Sequence, residues 1–498
     1  MATPPPAPAP IAWNKVQGII PRGYRQSFVR HLALSVRDVA AAKALIGDLV
    51  GGKAGIPQIT SAKGWVPPKP DYCLNISFTY PGLVKLLGAD SASVASFNTY
   101  SHQSFVNGSA ASAAVVGDVG ASDPRNWVLD DRHFDVMLSV YAVSMKELDA
   151  QTERLKPLLA AGFDALSADR TFDSQALRND EVYFGYHDNI AQPIIAGSPF
   201  PRHPDGGQDP VDPGAFLLGT AETTFFQMVA VPTPAAFGLY GCFGAFRILK
   251  QDVEGFEKQI EALAPQLTAF GVVSLATQKQ AVMAKICGRW PNGTPLALAP
   301  IDGDRIPDEM PPQDLNNFQF NLPKGDPAQD PSSAPDTGTN VPIGCHIRRG
   351  NMRSSPAPYG EGNAQNHRIM RRAMPYQLPY KEGTSRDTGE RGLMGFFLGA
   401  TLVGQFEFVQ QNWINDSSGF STVGDPADPL MGGEDPEYIS TPTSPESDFQ
   451  LQPLESFVTT KGSAYVYFPG IDGIRYIATA AVKPPVKPDP RLRLHHPR

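Results

Sequence analysis

The sequence predicts an α+β fold built from two similar halves, each an antiparallel sheet with peripheral helices. The chain has 498 residues, more than a single hydrophobic core usually fills. Its composition, 41% hydrophobic and 18% charged, is ordinary for a folded protein. A pattern of strand-like and helix-like segments also occurs twice along the chain. We therefore predict a proline-rich leader, residues 1–15, followed by two domains, 16–220 and 221–498.

The first half carries the repeated pattern most clearly. Alternating apolar residues from Phe28 to Val36 predict a strand, and Asp38 is a typical cap for the helix after it. Ser144 and Glu147 form a capping box that predicts a second helix. This order is the ferredoxin-like arrangement, an antiparallel sheet with both helices on one face. The remaining predicted strands of this half are 73–80, 134–143 and 165–172.

A weaker copy of the pattern begins near residue 241. Placing Asp252 over Asp38 superposes Ile248 on Leu34, so a strand at 241–249 and a capped helix mirror the first half. The copies agree in pattern rather than in identity, which indicates two halves of similar fold. The other elements predicted for the second half are strands at 341–348, 391–399 and 464–469 and a helix at 402–413.

Charge and targeting signals narrow the possible function classes. The formal net charge of -8 argues against nucleic-acid binding, which depends on clustered positive charge. The N-terminus lacks the charged and apolar regions of a secretory signal, so we expect a cytoplasmic protein. Residues 223–246 are uncharged, but their prolines and glycines favour a buried strand with a loop over a membrane span. The four cysteines are too few and scattered for a disulfide framework.

Residues 343–376 form a strongly basic stretch around His346. Six arginines accompany His346 there in a protein that is acidic overall, which indicates an anionic partner. Haem fits, because its iron accepts a histidine ligand and its propionates need cations. Cys345 would face away from His346 on the strand predicted at 341–348, so we assign the ligand to His346. The six arginines are Arg348, Arg349, Arg353, Arg368, Arg371 and Arg372.

These residues resemble the dye-decolourising, or DyP-type, haem peroxidases. The run from His346 to Arg353 matches the family's proximal His-x-Arg-[Lys/Arg]-x-Asn-Pro-Arg pattern, except that Met352 replaces the proline. The run 369–377 matches the segment of the distal arginine, with alanine and glutamine in place of its two glycines. The stretch 405–413 is also similar to the family.

The resemblance spans residues 16–471 and implies a dimeric α+β barrel fold with one haem b per chain. It implies an enzyme that reduces hydrogen peroxide and oxidises dyes, phenolics or other organic donors through a ferryl intermediate. A haem-binding protein of the same fold with little turnover is the alternative, because Asn189, Ala373 and Gln377 replace family glycines. We expect no nucleic-acid or membrane partner, and an oligomer is compatible with the sequence.

A peroxidase needs an acid/base group and a cation on the distal side of its haem. The family's Gly-x-x-Asp-Gly motif matches residues 185–189, which implies Asp188 as the distal acid/base. Asn189 replaces the last glycine, but asparagine tolerates a left-handed backbone better than other side chains. Arg371 is the distal cation by its match to the family. His187 adjoins Asp188 and is an alternative base.

Several other residues are expected to contact the cofactor or to orient its histidine ligand. Arg353 and Arg372 are candidates for propionate contacts or structural ion pairs. Asp425 or Asp428 could orient the proximal imidazole through its far nitrogen. The predicted cofactor-binding set is His346, Arg353 and Arg371, with Leu393, Met394 and Phe396 as apolar walls.

Two aromatic residues match positions proposed as radical sites in the family, Tyr376 and Trp413. A distal pocket narrow enough to hold its acid and cation near the iron would admit peroxide but not a bulky dye. We therefore expect bulky dyes to be oxidised at the protein surface, with electrons passing through such side chains. For Trp413 the plainer interpretation is a core residue, because it completes the apolar face of the predicted helix.

Overall fold

In the computed structural model, the described residues are 10–65, 67–166, 172–198, 210–270, 275–299, 315–318, 320, 338, 341–353, 364–379, 389–415, 427–432, 439–440 and 450–481. The strands found in them are β1 Phe28–Val36, β2 Tyr72–Phe78, β3 Leu129–Asp130, β4 Val136–Ala142, β5 Phe163–Ala165, β6 Phe172–Gln175, β7 Cys242–Gln251, β8 Met370–Leu378, β9 Glu390–Gly399, β10 Ile439–Ser440, β11 Gln450–Leu451 and β12 Val458–Phe468.

Ten of these strands form one sheet in the order β5-β1-β4-β2-β12-β7-β9-β8, with β6 beside β1 and β3 beside β12. With β3, β6, β10 and β11 left out of the count, both halves place their four remaining strands in the order fourth, first, third, second. The pairings along this path are antiparallel, as between β1 and β4 and between β7 and β9. The sheet therefore contains two ferredoxin-like halves side by side, which confirms the predicted fold. The division at residue 220 stays a prediction.

The α-helices of the described residues are α1 Val39–Asp48, α2 Tyr80–Leu87, α3 Ala92–Ala95, α4 Gln103–Asn107, α5 Met145–Leu159, α6 Thr224–Gln227, α7 Ala235–Gly238, α8 Val253–Leu263, α9 Leu275–Cys287, α10 His346–Gly350 and α11 Ile471–Thr479. Two π-helices are Leu402–Glu407 and Val409–Ile414. Short 3₁₀ segments are Trp13–Lys15, Tyr100–His102, Ser109–Ser112, Gly120–Ser122, Pro124–Asn126, Arg178–Asp180, Pro213–Ala215, Ala264–Phe270 and Ala364–His367.

The helix caps repeat between the halves as the sequence predicts. A side-chain oxygen of Asp38 accepts a hydrogen bond from the amide of Ala41 at 2.8 Å, at the start of α1. Asp252 accepts one from the amide of Gly255 at 3.0 Å, at the start of α8. Each carboxylate satisfies a backbone donor that the helix leaves without a partner. Equivalent residues therefore begin equivalent helices in the two halves.

A buried histidine lies where strands of the two halves pack against each other. His31 of β1 is 1% exposed, and its ring centroid lies 5.1 Å from that of Phe246 on β7 and 5.4 Å from that of Phe396 on β9. The strands of the two halves also pair directly, Phe78 of β2 opposite Tyr467 of β12. The halves consequently share one hydrophobic core.

The predicted strand at 341–348 is wrong. Residues 341–345 form turns, and α10 begins at His346. The amides of Arg348 and Arg349 both donate to the carbonyl of Cys345, at 3.1 Å, which is a helical pattern of bonds. Pro342 and Gly344 lie in the preceding segment, and both residue types disfavour the interior of a strand. The alternation of apolar residues at 341–348 is outweighed by these two strand-breaking residues.

Strand β8 was missing from the prediction because its composition is unusual for a strand. It contains Arg371, Arg372 and Pro375, and proline is found in strands mainly at sheet edges. β8 is the last strand of the sheet order, where its second edge needs no partner strand. The predicted strand 165–172 is also different, because β5 ends at Ala165 and β6 begins at Phe172.

The uncharged stretch 223–246 contains α6, α7 and the start of β7. The predicted strand is thus present, and two short helices precede it. Among the residues that the structure describes, no helix has the length and apolar character needed to cross a membrane.

Candidate active site

A cavity of about 510 Å³ lies between the segment that follows β6 and the second half of the sheet. This volume is within the range of small-molecule and cofactor sites. Four residues predicted from separate parts of the sequence line it together: Asp188, His346, Arg353 and Arg371.

His346 stands at the first position of α10, and 28% of its side chain is exposed. Its Nδ1 lies 2.8 Å from Oδ2 of Asp428, so Nδ1 donates to this carboxylate and Nε2 is left for another ligand. Asp428 is fully buried, and its Oδ1 accepts the amides of Leu430 and Met431 at 2.7 and 3.0 Å. A carboxylate fixed in this way sets both the tautomer and the orientation of the ring. Of the two predicted partners, Asp428 takes the position, while Asp425 lies outside the described residues.

Cys345 is the residue before α10 and does not lie on a strand with His346. The expectation that the two side chains point to opposite faces of a strand therefore does not apply. Its side chain is fully buried and is absent from the cavity lining. The thiol packs against Gly288, where a Cβ would lie 2.8 Å from Sγ. Burial raises the pKa of the Cys345 thiol to about 12, which keeps it protonated and a poor metal ligand.

The distal loop keeps its turn without its second glycine. Asn189 has φ +63°, in the left-handed region that glycine would otherwise supply, and Gly185 has φ +81°. The amide of Asp188 donates to the carbonyl of Asp180 at 2.7 Å, which closes the loop. The expectation that asparagine preserves the backbone is therefore confirmed.

His187 is tied to the protein by one ring nitrogen. A carbonyl can only accept, so Nδ1 donates to the carbonyl of Asn179, at 2.7 Å. The residue lines the cavity next to Asp188. The alternative base and the predicted base thus face the same space.

Arg371 lies near the start of β8 and is hydrogen-bonded to the loop that carries Asp188. Its amide donates to Oε1 of Gln192, and its guanidinium donates to the carbonyl of Ala191, both at 2.9 Å. Within the described residues, no ion pair joins Arg371 to Asp188, although both line the cavity. The loop that carries the carboxylate therefore also positions the guanidinium.

Buried and partly buried arginines give the cavity an excess of positive charge. Burial, together with the neighbouring Arg289 and Arg368, lowers the pKa of Arg353 well below its ordinary value. Burial likewise lowers the pKa of Arg289 and of Arg368 to about 10, with Arg371 contributing to each. Arg353 donates to the carbonyls of Asn316 and Phe318 at 2.8 and 3.2 Å. These cations favour an anionic ligand in the cavity.

Arg289 was missed by the sequence reasoning. It follows α9 and Gly288, whose φ of +92° turns the chain, and it donates to the carbonyls of Gly293 and Leu315 at 2.9 and 2.8 Å. In the described part of the chain, neither Arg289 nor Arg353 pairs with a carboxylate. A lone arginine just after a helix-ending glycine was the available signal, and it is a weak one.

Arg372 has a structural role. It donates to the carbonyls of Ile19 and Ile20 at 2.7 and 2.8 Å, and burial lowers its pKa to about 10. These bonds attach β8 to the segment before β1. Among the described residues Arg372 forms no ion pair, and because it also lines the cavity, its alternative role in a propionate contact stays a prediction.

The predicted apolar wall is correct in its strand but only partly in its residues. Leu393 and Phe397 of β9 line the cavity with Gly395 between them. Met394 and Phe396 do not line it and are buried in the core on the other face of β9. Side chains alternate along a strand, so consecutive residues cannot share one wall.

Tyr376 and Trp413 are both buried, with 2% and 1% of their surface exposed. The hydroxyl of Tyr376 donates to Oε1 of Glu390 at 3.0 Å. The ring of Trp413 packs edge-on against His367 and Phe408, with centroids 5.3 and 5.6 Å apart. Neither residue lines the cavity, and their radical role stays a prediction.

The fold and cavity define a class of protein, in which two ferredoxin-like halves enclose a pocket lined by a carboxylate-bound histidine, a loop aspartate and several arginines. Comparison with known proteins agrees with this class. No family model matches the chain. Peroxidase 2 of Mycetinis scorodonius is 27% identical over 487 residues, which cover 92% of this chain and 86% of the relative. A dye-decolorizing peroxidase of Exidia glandulosa is 27% identical over 479 residues, covering 93% and 86%.

Solved structures of dye-decolorizing peroxidases have the same fold as this chain. A dye-decolorizing peroxidase in complex with 2,6-dimethoxyphenol has a TM-score of 0.74 at 24% identity, covering 94% of this chain and all of that one. A dye-decolorizing peroxidase with a heme pocket engineered for asymmetric sulfoxidation also has a TM-score of 0.74, at 23% identity and the same coverage. Over nearly its full length the chain is therefore similar in sequence to DyP-type peroxidases, and it shares their fold.

Proposed function

We propose that this protein is a haem-dependent peroxidase that binds one haem b per chain, reduces hydrogen peroxide and oxidises dyes, phenolics or other organic donors. The observation that carries the proposal is the shared cavity, in which His346 faces the same space as Asp188 and Arg371. The near full-length similarity to proteins named as peroxidases supports it.

The residues of the cavity fit a haem on three counts. His346 has one nitrogen committed to Asp428 and the other available for an iron, a common arrangement of metal-binding histidines. Arg289 is buried and Arg353 is partly buried, and the two propionates would compensate their charge. Leu393 and Phe397 supply an apolar surface for the porphyrin plane.

When bound, the haem would supply the iron centre at which peroxide is reduced. Asp188 would take a proton from one peroxide oxygen and deliver it to the other, as a general acid/base must. Arg371 would stabilise the negative charge that develops as the oxygen–oxygen bond breaks. The hydrogen bonds of Arg371 to Ala191 and Gln192 hold its cation beside the loop of Asp188.

The organic donor is proposed at the level of class. A solved relative binds 2,6-dimethoxyphenol, which supports a phenolic donor here. Bulky dyes would react at the surface. Tyr376 and Trp413 are too deeply buried to touch a dye, so in this scheme they would pass electrons on rather than meet the donor.

Absorption spectra of the purified protein, recorded before and after one equivalent of hydrogen peroxide, test the proposal. A Soret band that shifts on addition of peroxide, followed by dye oxidation, is expected. His346→Ala should abolish stable haem binding while the fold survives, because the iron loses its protein ligand. His133→Ala, which removes an imidazole outside the cavity lining, serves as the control. A Soret band without response to peroxide would instead indicate a haem-binding protein with little turnover.

A further inference from the structure

The burial of both expected radical sites leaves open where a bulky donor gives up its electron. We propose that Trp65 is that surface site, linked to the cavity through Tyr24 and Tyr141, and that it favours anionic aromatic donors. The proposal rests on the peroxidase function proposed above, which supplies the oxidising equivalents.

Three aromatic rings connect the cavity to the surface. Tyr141 and Tyr24 both line the cavity, and their ring centroids are 5.1 Å apart in an edge-to-face contact. Tyr24 stacks on Trp65 with a centroid distance of 6.3 Å and an interplanar angle of 19°. Tyr24 and Tyr141 are buried, whereas Trp65 is half-buried and reaches solvent. The rings therefore form a continuous path that ends in an oxidisable indole at the surface.

The charges around Trp65 define the class of donor. The guanidinium of Arg22 lies 3.9 Å from the centroid of the Trp65 ring and donates to the carbonyl of Lys63 at 3.2 Å. In the sequence around Arg22 and Trp65, at 16–29 and 60–70, all four charged residues are positive; Asp71 is the first acidic residue after them. In a protein of net charge -8, these positive charges attract an anionic donor, such as a sulfonated dye. The four charged residues are Arg22, Arg25, Lys63 and Lys69.

The electron balance of the step is simple. Trp65 loses one electron towards the cavity and its Nε1 proton to solvent, and the donor then returns one electron while solvent returns the proton. Hydrogen peroxide takes up two such electrons and two protons to become two molecules of water. Burial raises the pKa of both Tyr24 and Tyr141, so these phenols keep their protons and act as bridges between rings. The radical thus resides on Trp65, where solvent accepts the proton.

Spin trapping on the haem-loaded, full-length protein tests the location. Hydrogen peroxide is added with 2-methyl-2-nitrosopropane, and mass spectrometry of the digest locates the adduct. We expect it on Trp65, and we expect Trp65→Phe to lose it. Trp127→Phe is the matched control, because Trp127 donates to the carbonyl of Ser122 and has no ring contact with a cavity-lining side chain among the described residues. Adducts confined to Tyr376 or Trp413 would overturn the proposal.

Turnover of a sulfonated anthraquinone dye should fall on the order of tenfold in Trp65→Phe, while oxidation of a small phenol stays at the wild-type rate. Unchanged dye turnover would reject the site. The peroxide-induced change of the haem spectrum separates the two proposals. If that change is present and Trp65 carries no adduct, only the route fails; if the change is absent, the peroxidase function and the route fail together.

Substitution of the cation tests the donor class. Arg22→Gln should raise KM for the sulfonated dye several-fold with little effect on kcat, and leave KM for a cationic dye of similar size unchanged. Lys63→Gln should act in the same direction and touches no ring. Added salt should weaken the preference for the anionic dye, because exposed charges are screened. Equal effects of Arg22→Gln on both dyes would show a structural role and refute the charge selectivity.

Discussion

The two halves of the sheet have the same strand order and the same aspartate-capped helix, but they contribute to the cavity differently. The first half provides Asp188, on a loop that follows its last strand β6. The second half provides His346, on a short helix between α9 and β8. The repeated elements thus form the scaffold, and segments outside the repeat carry Asp188 and His346, whereas Arg371 lies on the repeated strand β8. This division matches the general rule that function lies on loops positioned by a rigid framework.

The contribution of the first half is tested most strongly by Asp188→Asn. The variant should keep its haem but react with peroxide on the order of 10²–10⁴-fold more slowly, because the general acid/base is lost. Stopped-flow measurement of the haem spectral change gives the rate. His187→Ala is the control, and it should remain near the wild-type rate. The reverse result, a slow His187→Ala and a normal Asp188→Asn, would transfer the role to the histidine.

The contribution of the second half is tested by Asp428→Asn. We expect haem affinity to fall on the order of 10–100-fold, because the amide no longer fixes the tautomer of His346 as the carboxylate does. Titration of the haem-free protein with haem measures the dissociation constant. Glu407→Gln is a suitable comparison, since this buried carboxylate accepts from Tyr465 and Ser104 and not from His346. Similar affinity losses in both variants would point to general disruption of the fold.

The sequence predicts the scaffold more completely than it predicts the site. The capped helices and most strands follow from local patterns, and Asp38 and Asp252 behave as their positions predict. The partner of His346 could not be chosen from sequence, because Asp428 is 82 positions away and its approach depends on the tertiary fold. Strand β8 and α10 were misjudged where charged residues or breakers hid the local pattern.

The junction between the halves should be sensitive to acid. Burial lowers the pKa of His31 to about 3 and that of His102, whose ring centroid lies 4.8 Å from that of Phe243 on β7, to about 4, against 6.5 for a free histidine. Below about pH 6.5 the unfolded chain therefore binds more protons than the folded protein, and the free energy of unfolding falls as the pH falls towards 4. The expected slope is up to about 1.4 kcal/mol per pH unit for each histidine.

Urea denaturation at several pH values between about 7 and 4 measures this dependence. His31→Gln should be less steep than the wild type over the same range, because one of the two neutral buried imidazoles is gone. A slope identical to that of the wild type would show that His31 does not contribute to the acid sensitivity of the junction.

The smallest expected effects compare the two caps directly. Asp38→Ala and Asp252→Ala each remove a carboxylate that accepts one amide hydrogen bond, so each should lower the free energy of unfolding by about 1 kcal/mol. Asn substitutions at the same positions keep an acceptor of similar capping strength and should be close to neutral. Denaturation midpoints of the four variants, at constant slope, give the comparison. If the loss is far larger at Asp252 than at Asp38, the capped helices are not equivalent parts of the scaffold, and the stability of the second half depends on α8 in a way that the repeat does not explain.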